Sequence, residues 1–186
     1  TAVKKAFSPV MKKELLEGFS HIAVKATVAQ FPAIYKVQAS GREINLFYLL
    51  DDKRQRIEQT GADFLVVNTA LKFTKEEMLA ELNNYPERFS PNVILRPVLQ
   101  ETILPDITFI GGGGEVAYWL ELKKVFEAVA VPYPMLIVRN SFLFISKELQ
   151  AVTQKLQFSN TDLFKPELEL INRLVKRGST LQLNVE

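Results

Sequence analysis

The fold is decided by one stretch of the sequence, ILPDITFIGGGGEVAYWLELKKVFEAVAVPYPMLIVRN, which spans Ile103–Asn140. An apolar segment at Ile107–Ile110 ends in four consecutive glycines, a helical pattern begins at Glu115, and a second apolar segment follows at Met135–Val138. Two apolar segments joined by a helix at this spacing predict a βαβ unit with parallel strands. Because both segments are apolar throughout, we expect helices to cover both faces of their sheet.

The predicted helix of this unit runs from Glu115 to Ala130. Four of its large apolar side chains recur at helical spacing, so we expect one face of the helix to be buried. These residues are Trp119, Leu122, Phe126 and Val129.

The glycine run, Gly111, Gly112, Gly113 and Gly114, puts no side chain between the backbone and an approaching ligand, and it permits positive φ angles. The following helix directs unpaired N–H groups and the positive end of its dipole at the same place. This combination predicts an anion-binding site at the carboxyl end of a strand. The spacing is neither G-x-G-x-x-G nor that of a P-loop, since Glu115 follows the last glycine. A tight turn that allows close helix–strand packing is the alternative, although four glycines exceed what a turn needs.

Five further side chains are candidates for the same site. Glu115 either compensates the helix dipole or binds an ammonium or hydroxyl group of the ligand, and both interpretations stay open. Arg139 follows the second strand and is therefore predicted to project into the same crevice, and Arg96 precedes a short predicted helix. Arginine binds carboxylates bidentately, with a surface ion pair as the alternative for each. Gln100 and Asn140 are weaker candidates of the same kind.

Composition excludes several classes of site. The 186 residues include no cysteine and a single histidine, His21, which rules out disulfides and thiolate zinc sites and disfavours a Ser-His-Asp triad. We expect His21 to be structural. The 23 basic and 21 acidic residues are interspersed, so no nucleic-acid footprint is expected. Without a long apolar run or a signal-peptide pattern, the sequence predicts a cytoplasmic protein with no membrane partner.

The chain is predicted to comprise four segments: a helical segment at 1–34, a connecting insertion with antiparallel strands and a helix at 35–88, a Rossmann-like core half at 89–146, and a helical segment at 147–186. Ser8 and Pro9 suit the first two positions of the first helix. Thr74 and Glu77 form a capping box that starts the helix of the insertion. In the last segment, Leu168, Ile171, Leu174 and Val175 are expected to face inward.

The insertion also contains a dense polar and aromatic strand around Arg42, Glu43, Asn45, Phe47 and Tyr48. Such a strand either docks a ligand or a partner, or is an ordinary half-buried strand. The ordinary strand is the favoured interpretation.

Several motifs together carry a resemblance to a known family. The longest of these motifs is FSPNVILRPVLQE at Phe89–Glu101. It is followed along the chain by Leu104-Pro105, Gly111-Gly112, EVAY at 115–118 and Leu122-Lys123. Two further motifs belong to the same resemblance, GREINLFY at 41–48 and VPYPM at 131–135. Over most of its length the chain resembles the cysteine ligases of bacillithiol biosynthesis.

The resemblance implies a nucleotide-binding-like α/β core, interrupted by inserted connecting segments. It implies a carbon–nitrogen ligase that joins cysteine to the amine of glucosaminyl malate. ATP and Mg²⁺ are expected to activate the carboxyl group in this reaction. The resemblance also implies a C-terminal coiled coil through which the full-length protein forms a homodimer. Family members are longer, so the chain is expected to be a middle fragment that lacks the first half of the core and the coiled coil, and to be inactive alone.

The ligands that the resemblance implies suit the candidate residues. Glucosaminyl malate carries two carboxylates and an ammonium, and cysteine carries one of each. The sequence assigns no catalytic residue and no metal ligand. Two other functions stay open: a non-catalytic module that binds a small anion or a partner chain, and another nucleotide-using transferase on the same α/β core.

Overall fold

The computed structural model describes residues 2–39, 41–51 and 53–178, which divide into two compact units, Thr1–Asn140 and Ser141–Glu186. The four-segment organisation stays a prediction beside this division. Helices of the first unit are α1 (Ala2–Glu17), α2 (Phe19–Val28), α3 (Lys75–Asn84), α4 (Arg96–Ile103), α5 (Gly113–Leu120) and α6 (Lys123–Ala128). Its strands are β1 (Leu46–Leu50), β2 (Lys53–Thr60), β3 (Asp63–Val66), β4 (Lys72–Phe73), β5 (Phe89–Pro91), β6 (Thr108–Gly111) and β7 (Met135–Val138).

An antiparallel sheet in the order β4-β3-β2-β1-β5 forms the larger β layer of this unit. Alternate side chains of β1 and β3 enter the core, as the two-residue period of a strand requires. The capping box of α3 is present: the Thr74 hydroxyl accepts the Glu77 N–H at 3.2 Å, and the Glu77 carboxylate accepts the Thr74 N–H at 2.8 Å. The predicted combination of antiparallel strands and a helix is confirmed.

The predicted βαβ unit is also confirmed. β6 and β7 pair in parallel, with Ile110 opposite Ile137 and Gly111 opposite Val138, and α5 and α6 lie between them in the chain. The indole ring of Trp119 stacks on the Phe109 ring with centroids 4.0 Å apart, so α5 packs on one face of the strand pair.

The opposite face of the strand pair differs from the expectation. Ile110, Met135 and Ile137 are 64%, 59% and 42% exposed, so helices do not cover both faces in the described part of the chain. The apolar sequence of these strands indicated burial on both sides, but of the described residues in the two strands, Phe109 and Leu136 are the apolar ones that pack against the core.

The expected single helix over Glu115–Ala130 is interrupted: α5 ends at Leu120 and α6 begins at Lys123. The residues predicted to form a buried face are nevertheless buried. Trp119, Leu122 and Phe126 are fully buried, and Val129 is partly buried.

Glu121 lies at the interruption and is fully buried. Its carboxylate accepts the backbone N–H groups of Gln38 at 2.6 Å and of Ala39 at 3.1 Å. Because these donors lie more than eighty residues away in the sequence, the interruption is a tertiary feature that local helical spacing does not encode.

The predicted start of the first helix at Ser8 and Pro9 is wrong. α1 begins at Ala2 and contains Pro9 in its interior. An internal proline removes one backbone hydrogen bond and costs about 3 kcal/mol. Phe7 and Met11, on either side of Pro9, are fully buried, and this burial keeps the first two turns helical.

The second unit contains α7 (Lys147–Lys155) and α8 (Glu167–Gly178), joined by a 3₁₀ turn at Asp162–Phe164. Both helices were predicted, but the inward orientation of the α8 stripe is not observed. Leu168, Ile171 and Val175 are all exposed, and Leu174 is only partly buried. Residues 179–186 of the predicted helical segment lie outside the described residues.

The second unit is expected to lose stability in acid through Asp162. Its carboxylate accepts the N–H and the hydroxyl of Ser159, both at 2.8 Å, and contacts Lys165 and Arg173. These contacts, led by the Ser159 N–H, hold the pKa of Asp162 well below its ordinary value of 3.8. The stabilisation is therefore complete above about pH 4 and is lost as the pH falls through the lowered pKa. The NMR chemical shift of the Ser159 amide, followed during an acid titration, measures the protonation of Asp162 that causes this loss. The same change of the shift with pH in Asp162→Asn would contradict the prediction.

Candidate functional site at the glycine loop

The glycine loop, Gly111–Gly114, lies at the carboxyl end of β6, where β7 also ends. Because the two strands are parallel, residues that follow β7 lie beside the loop. The backbone N–H of Arg139 donates to the Gly111 carbonyl at 2.8 Å and extends the pairing by one residue. The loop and the end of β7 therefore form one edge of the sheet.

The first two glycines are needed for close packing. A Cβ atom at Gly111 would lie 2.6 Å from Cε1 of Phe109, and one at Gly112 would lie 3.2 Å from Nη2 of Arg139. Among the described glycines, positive φ angles occur at Gly18 and Gly61 but at none of the four loop glycines, so the loop does not use the freedom that glycine permits. For these two positions, the packing alternative accounts for the glycine.

The last two glycines have no such packing reason. A Cβ atom at Gly113 or Gly114 would meet nothing within 4 Å, and both residues are exposed. They occupy the first turn of α5, where N–H groups have no partner within the helix. Among the described residues, the N–H groups of Gly113, Gly114 and Glu115 have no acceptor. These donors lie at the positive end of the helix.

Glu115 is exposed, and its carboxylate accepts the Gly112 N–H at 2.8 Å. This contact satisfies one donor of the helix start and compensates the dipole, as the simpler interpretation expects. The carboxylate also places a negative charge beside the three free donors. A ligand with both an ammonium and an anionic group matches this pair of features.

Arg139 is the sequence-predicted side chain that the structure brings to the loop. Its guanidinium lies over Gly112, where an added Cβ would lie 3.2 Å from Nη2, 3.4 Å from Nε and 3.5 Å from Cζ. The guanidinium makes no hydrogen bond and no ion pair among the described residues. An exposed cation therefore stands beside the free N–H groups of the loop.

The remaining candidates are not joined to the loop by a polar contact in the described part of the chain. Arg96 is exposed at the first residue of α4, and its backbone N–H donates to Asn92. The side chain of Gln100 contacts Glu101 at 3.4 Å, and Asn140 is exposed next to Arg139. His21 bonds the Gly41 carbonyl at 3.0 Å through Nδ1, as a structural residue would.

Two buried polar groups were not predicted. Glu101 on α4 is 3% exposed, accepts the Asp106 N–H at 2.9 Å, and has a raised pKa because burial disfavours its charge. The Nε1 of Trp119 is a buried donor without a partner in the described residues. The hydrophobic pattern of a sequence indicates whether a residue is buried, but it does not reveal which hydrogen-bond partners a buried side chain has or lacks.

The described residues also bear on membrane and metal sites. None of the helices there is long and apolar enough to cross a bilayer. The same residues contain no group of three or more histidine, cysteine or acidic side chains placed to hold a metal ion.

Comparison with known proteins identifies relatives of the whole chain. The family model described as "Bacillithiol biosynthesis BshC, N-terminal Rossmann-like domain" matches residues 1–140, the same range as the first structural unit. Proteins named "Putative cysteine ligase BshC" are similar over nearly the entire chain. That of Flavobacterium johnsoniae is 44% identical over 183 residues, that of Christiangramia forsetii 45% over 183, and that of Cytophaga hutchinsonii 38% over 186. The alignments cover 98%, 98% and 100% of this chain but 34%, 34% and 36% of those proteins, so the chain spans about a third of their length.

Proposed function

We propose a function for this chain from one premise: the chain belongs to the BshC family of bacillithiol biosynthesis. Its proposed role is to supply part of the substrate site of a carbon–nitrogen ligase that joins cysteine to glucosaminyl malate. Since the chain spans about a third of its relatives, the complete reaction needs groups that lie outside it. A cytoplasmic location and a homodimer of the full-length protein are part of the same proposal.

One observation carries the assignment of the site. Gly113 and Gly114 have no packing need for glycine, and their N–H groups have no acceptor among the described residues, while the Arg139 guanidinium lies over the adjacent Gly112. Backbone donors at a helix start and an arginine together bind carboxylate or phosphate. We assign them to a carboxylate of glucosaminyl malate.

The ammonium groups of the two substrates have a separate partner in this proposal. The Glu115 carboxylate lies within hydrogen-bond distance of the loop backbone, so a bound zwitterion would place its cation there and its anion on the free N–H groups. A bare phosphate would be repelled by the same carboxylate. The arrangement therefore favours a zwitterionic substrate over a simple anion.

ATP and Mg²⁺ remain part of the proposal for the whole ligase. The described residues offer no carboxylate cluster for a magnesium ion. We therefore assign no metal-dependent step and no catalytic residue to this chain.

The central test is Gly114→Ala in the full-length protein. A methyl group at this position meets no protein atom but obstructs a ligand that approaches the backbone. We expect the dissociation constant for glucosaminyl malate, measured by isothermal titration calorimetry, to rise about tenfold. The melting temperature should stay unchanged or rise, because alanine is the better helix former by up to about 1 kcal/mol.

Gly178→Ala is the matched control. This glycine ends α8, and a Cβ atom there also meets nothing within 4 Å. Its substitution should leave the dissociation constant unchanged. Equal affinity in the wild type and in Gly114→Ala would remove the glycine loop from the substrate site, and binding without ligase activity would favour a non-catalytic anion-binding module.

A further inference from the structure

A cavity of about 350 Å³ lies against one face of the antiparallel sheet, away from the glycine loop. In the register of β1 and β2, Phe47 is opposite Arg56 and Leu49 is opposite Arg54. Side chains at these positions share one face of the sheet. The cavity is lined by three residues of this face (Phe47, Arg54 and Arg56) and by Arg42 and Asn92 outside the strands. The apolar residues Ile44, Leu46 and Val93 complete the lining, and we name this cavity the arginine groove.

Among the described residues, the lining of the arginine groove contains three guanidinium groups and no carboxylate. Arg54 is held in place: its guanidinium carbon lies 4.0 Å from the centroid of the Phe47 ring, and its Nη2 donates to the Pro91 carbonyl at 2.8 Å. Arg56 makes an ion pair of 3.3 Å with Glu58, which lies outside the lining. The guanidinium of Arg42 makes no hydrogen bond or ion pair among the described residues.

A buried amide supports two residues of the arginine groove. Asn45 is fully buried, and its Oδ1 accepts the Arg42 N–H at 3.0 Å and the Asn92 side chain at 2.7 Å. Its Nδ2 donates to the Arg42 carbonyl at 2.8 Å and to the Ser20 hydroxyl at 2.7 Å. Asn45 thus fixes the backbone of Arg42 from both sides and orients Asn92. This part of the lining is therefore held in place before a ligand binds, which reduces the entropy that binding must overcome.

Glu58 neutralises Arg56 only, so Arg42 and Arg54 leave the empty groove positively charged. A multiply charged anion offsets this charge. Guanidinium groups match the oxygens of a phosphate bidentately. The volume suits a small molecule. The near balance of 23 basic and 21 acidic residues provides no extended positive surface for a nucleic-acid strand.

We propose that the arginine groove is a second anion site, which binds a small molecule carrying at least two negative charges on phosphate groups. The site is independent of the glycine loop, since neither Arg139 nor any loop glycine lines it.

Calorimetric titration of the full-length protein with inorganic pyrophosphate, at a fixed ionic strength of about 0.15 M, tests this site. Arg42→Gln should weaken pyrophosphate binding about tenfold. Lys75→Gln, which removes an exposed cation at the start of α3, is the matched control and should leave the affinity unchanged. Succinate should bind at least tenfold more weakly than pyrophosphate to the wild type.

Glu58→Gln gives a result that misfolding cannot imitate. It releases Arg56 from its ion pair and removes a negative charge near the groove, so pyrophosphate should bind about threefold more tightly. Equal affinities in Arg42→Gln and Lys75→Gln would overturn the site, as would weaker binding in Glu58→Gln or comparable binding of succinate. Loss of pyrophosphate binding in Arg139→Gln but not in Arg42→Gln would overturn it too, because the anion would then occupy the glycine loop.

Discussion

Arg139→Ala is expected to raise the dissociation constant of the full-length protein for glucosaminyl malate by about 10- to 100-fold. The guanidinium lies over Gly112 and has no other partner in the described residues, so a bound carboxylate would be its main polar contact. A hydrogen bond to a charged group contributes about 1.5–3 kcal/mol, which sets this range. The side chain is exposed, and its removal should leave the melting temperature nearly unchanged.

Calorimetry on two further variants sharpens this expectation. Arg139→Lys keeps the charge but loses the planar fork, so it should recover only part of the affinity. Arg96→Ala removes a candidate of the same type for which no polar contact with the loop is found in the described residues. If Arg96→Ala weakened binding while Arg139→Ala did not, α4 rather than the end of β7 would hold the carboxylate.

Glu14→Ala is expected to lower the free energy of unfolding by about 3–5 kcal/mol. Glu14 is fully buried, and its carboxylate accepts the Ser20 N–H at 3.1 Å, the Ser20 hydroxyl at 2.7 Å and the Asn45 N–H at 2.8 Å. Alanine would leave three buried donors without an acceptor, and each costs about 1–3 kcal/mol. The variant would also leave a cavity between α1 and β1.

Urea denaturation followed by circular dichroism measures this loss. Glu17→Ala is the matched control, since Glu17 lies one turn further along the same helix and is exposed. The control should change the unfolding free energy by less than about 0.5 kcal/mol. Similar midpoints for the two variants would show that the Glu14 network contributes little to stability.

Local patterns predicted the parts of the fold that depend on neighbours in the sequence. The strands at Thr108–Gly111 and Met135–Val138, their parallel pairing and the α3 capping box all follow from runs of a few residues. The α/β class with an added antiparallel sheet was predictable for the same reason. The placement of Arg139 beside the glycine loop follows from one further rule, that parallel strands end at the same sheet edge.

Contacts across long stretches of chain could not be predicted in this way. Glu14 and Asn45 are thirty-one residues apart, and Glu121 reaches a segment more than eighty residues earlier. Pro9 lies inside α1 because tertiary burial outweighs a local rule. The convergence of Arg42 with Arg54 depends on strand register, which the sequence does not show directly.

The sequence also could not show which glycines of the loop are needed for packing and which have backbone N–H groups without an acceptor. The four residues are identical in the sequence, yet a Cβ atom would clash at Gly111 and meet open space at Gly114. Only the positions of Phe109 and Arg139 distinguish them. A run of glycines in the sequence therefore indicates where a binding site lies. The side chains that surround each glycine in the structure indicate which of the glycines to substitute in a binding experiment.

The indole ring on α5 has a practical consequence. Trp119 is the single tryptophan of the chain, it is almost fully buried, and it stacks on Phe109, whose ring is the nearest neighbour of Gly111. Ultraviolet emission excited near 295 nm, where only indole absorbs, therefore comes in this chain from one fluorophore behind the loop. The chain carries its own optical reporter, and no label has to be attached to follow events at this edge of the sheet.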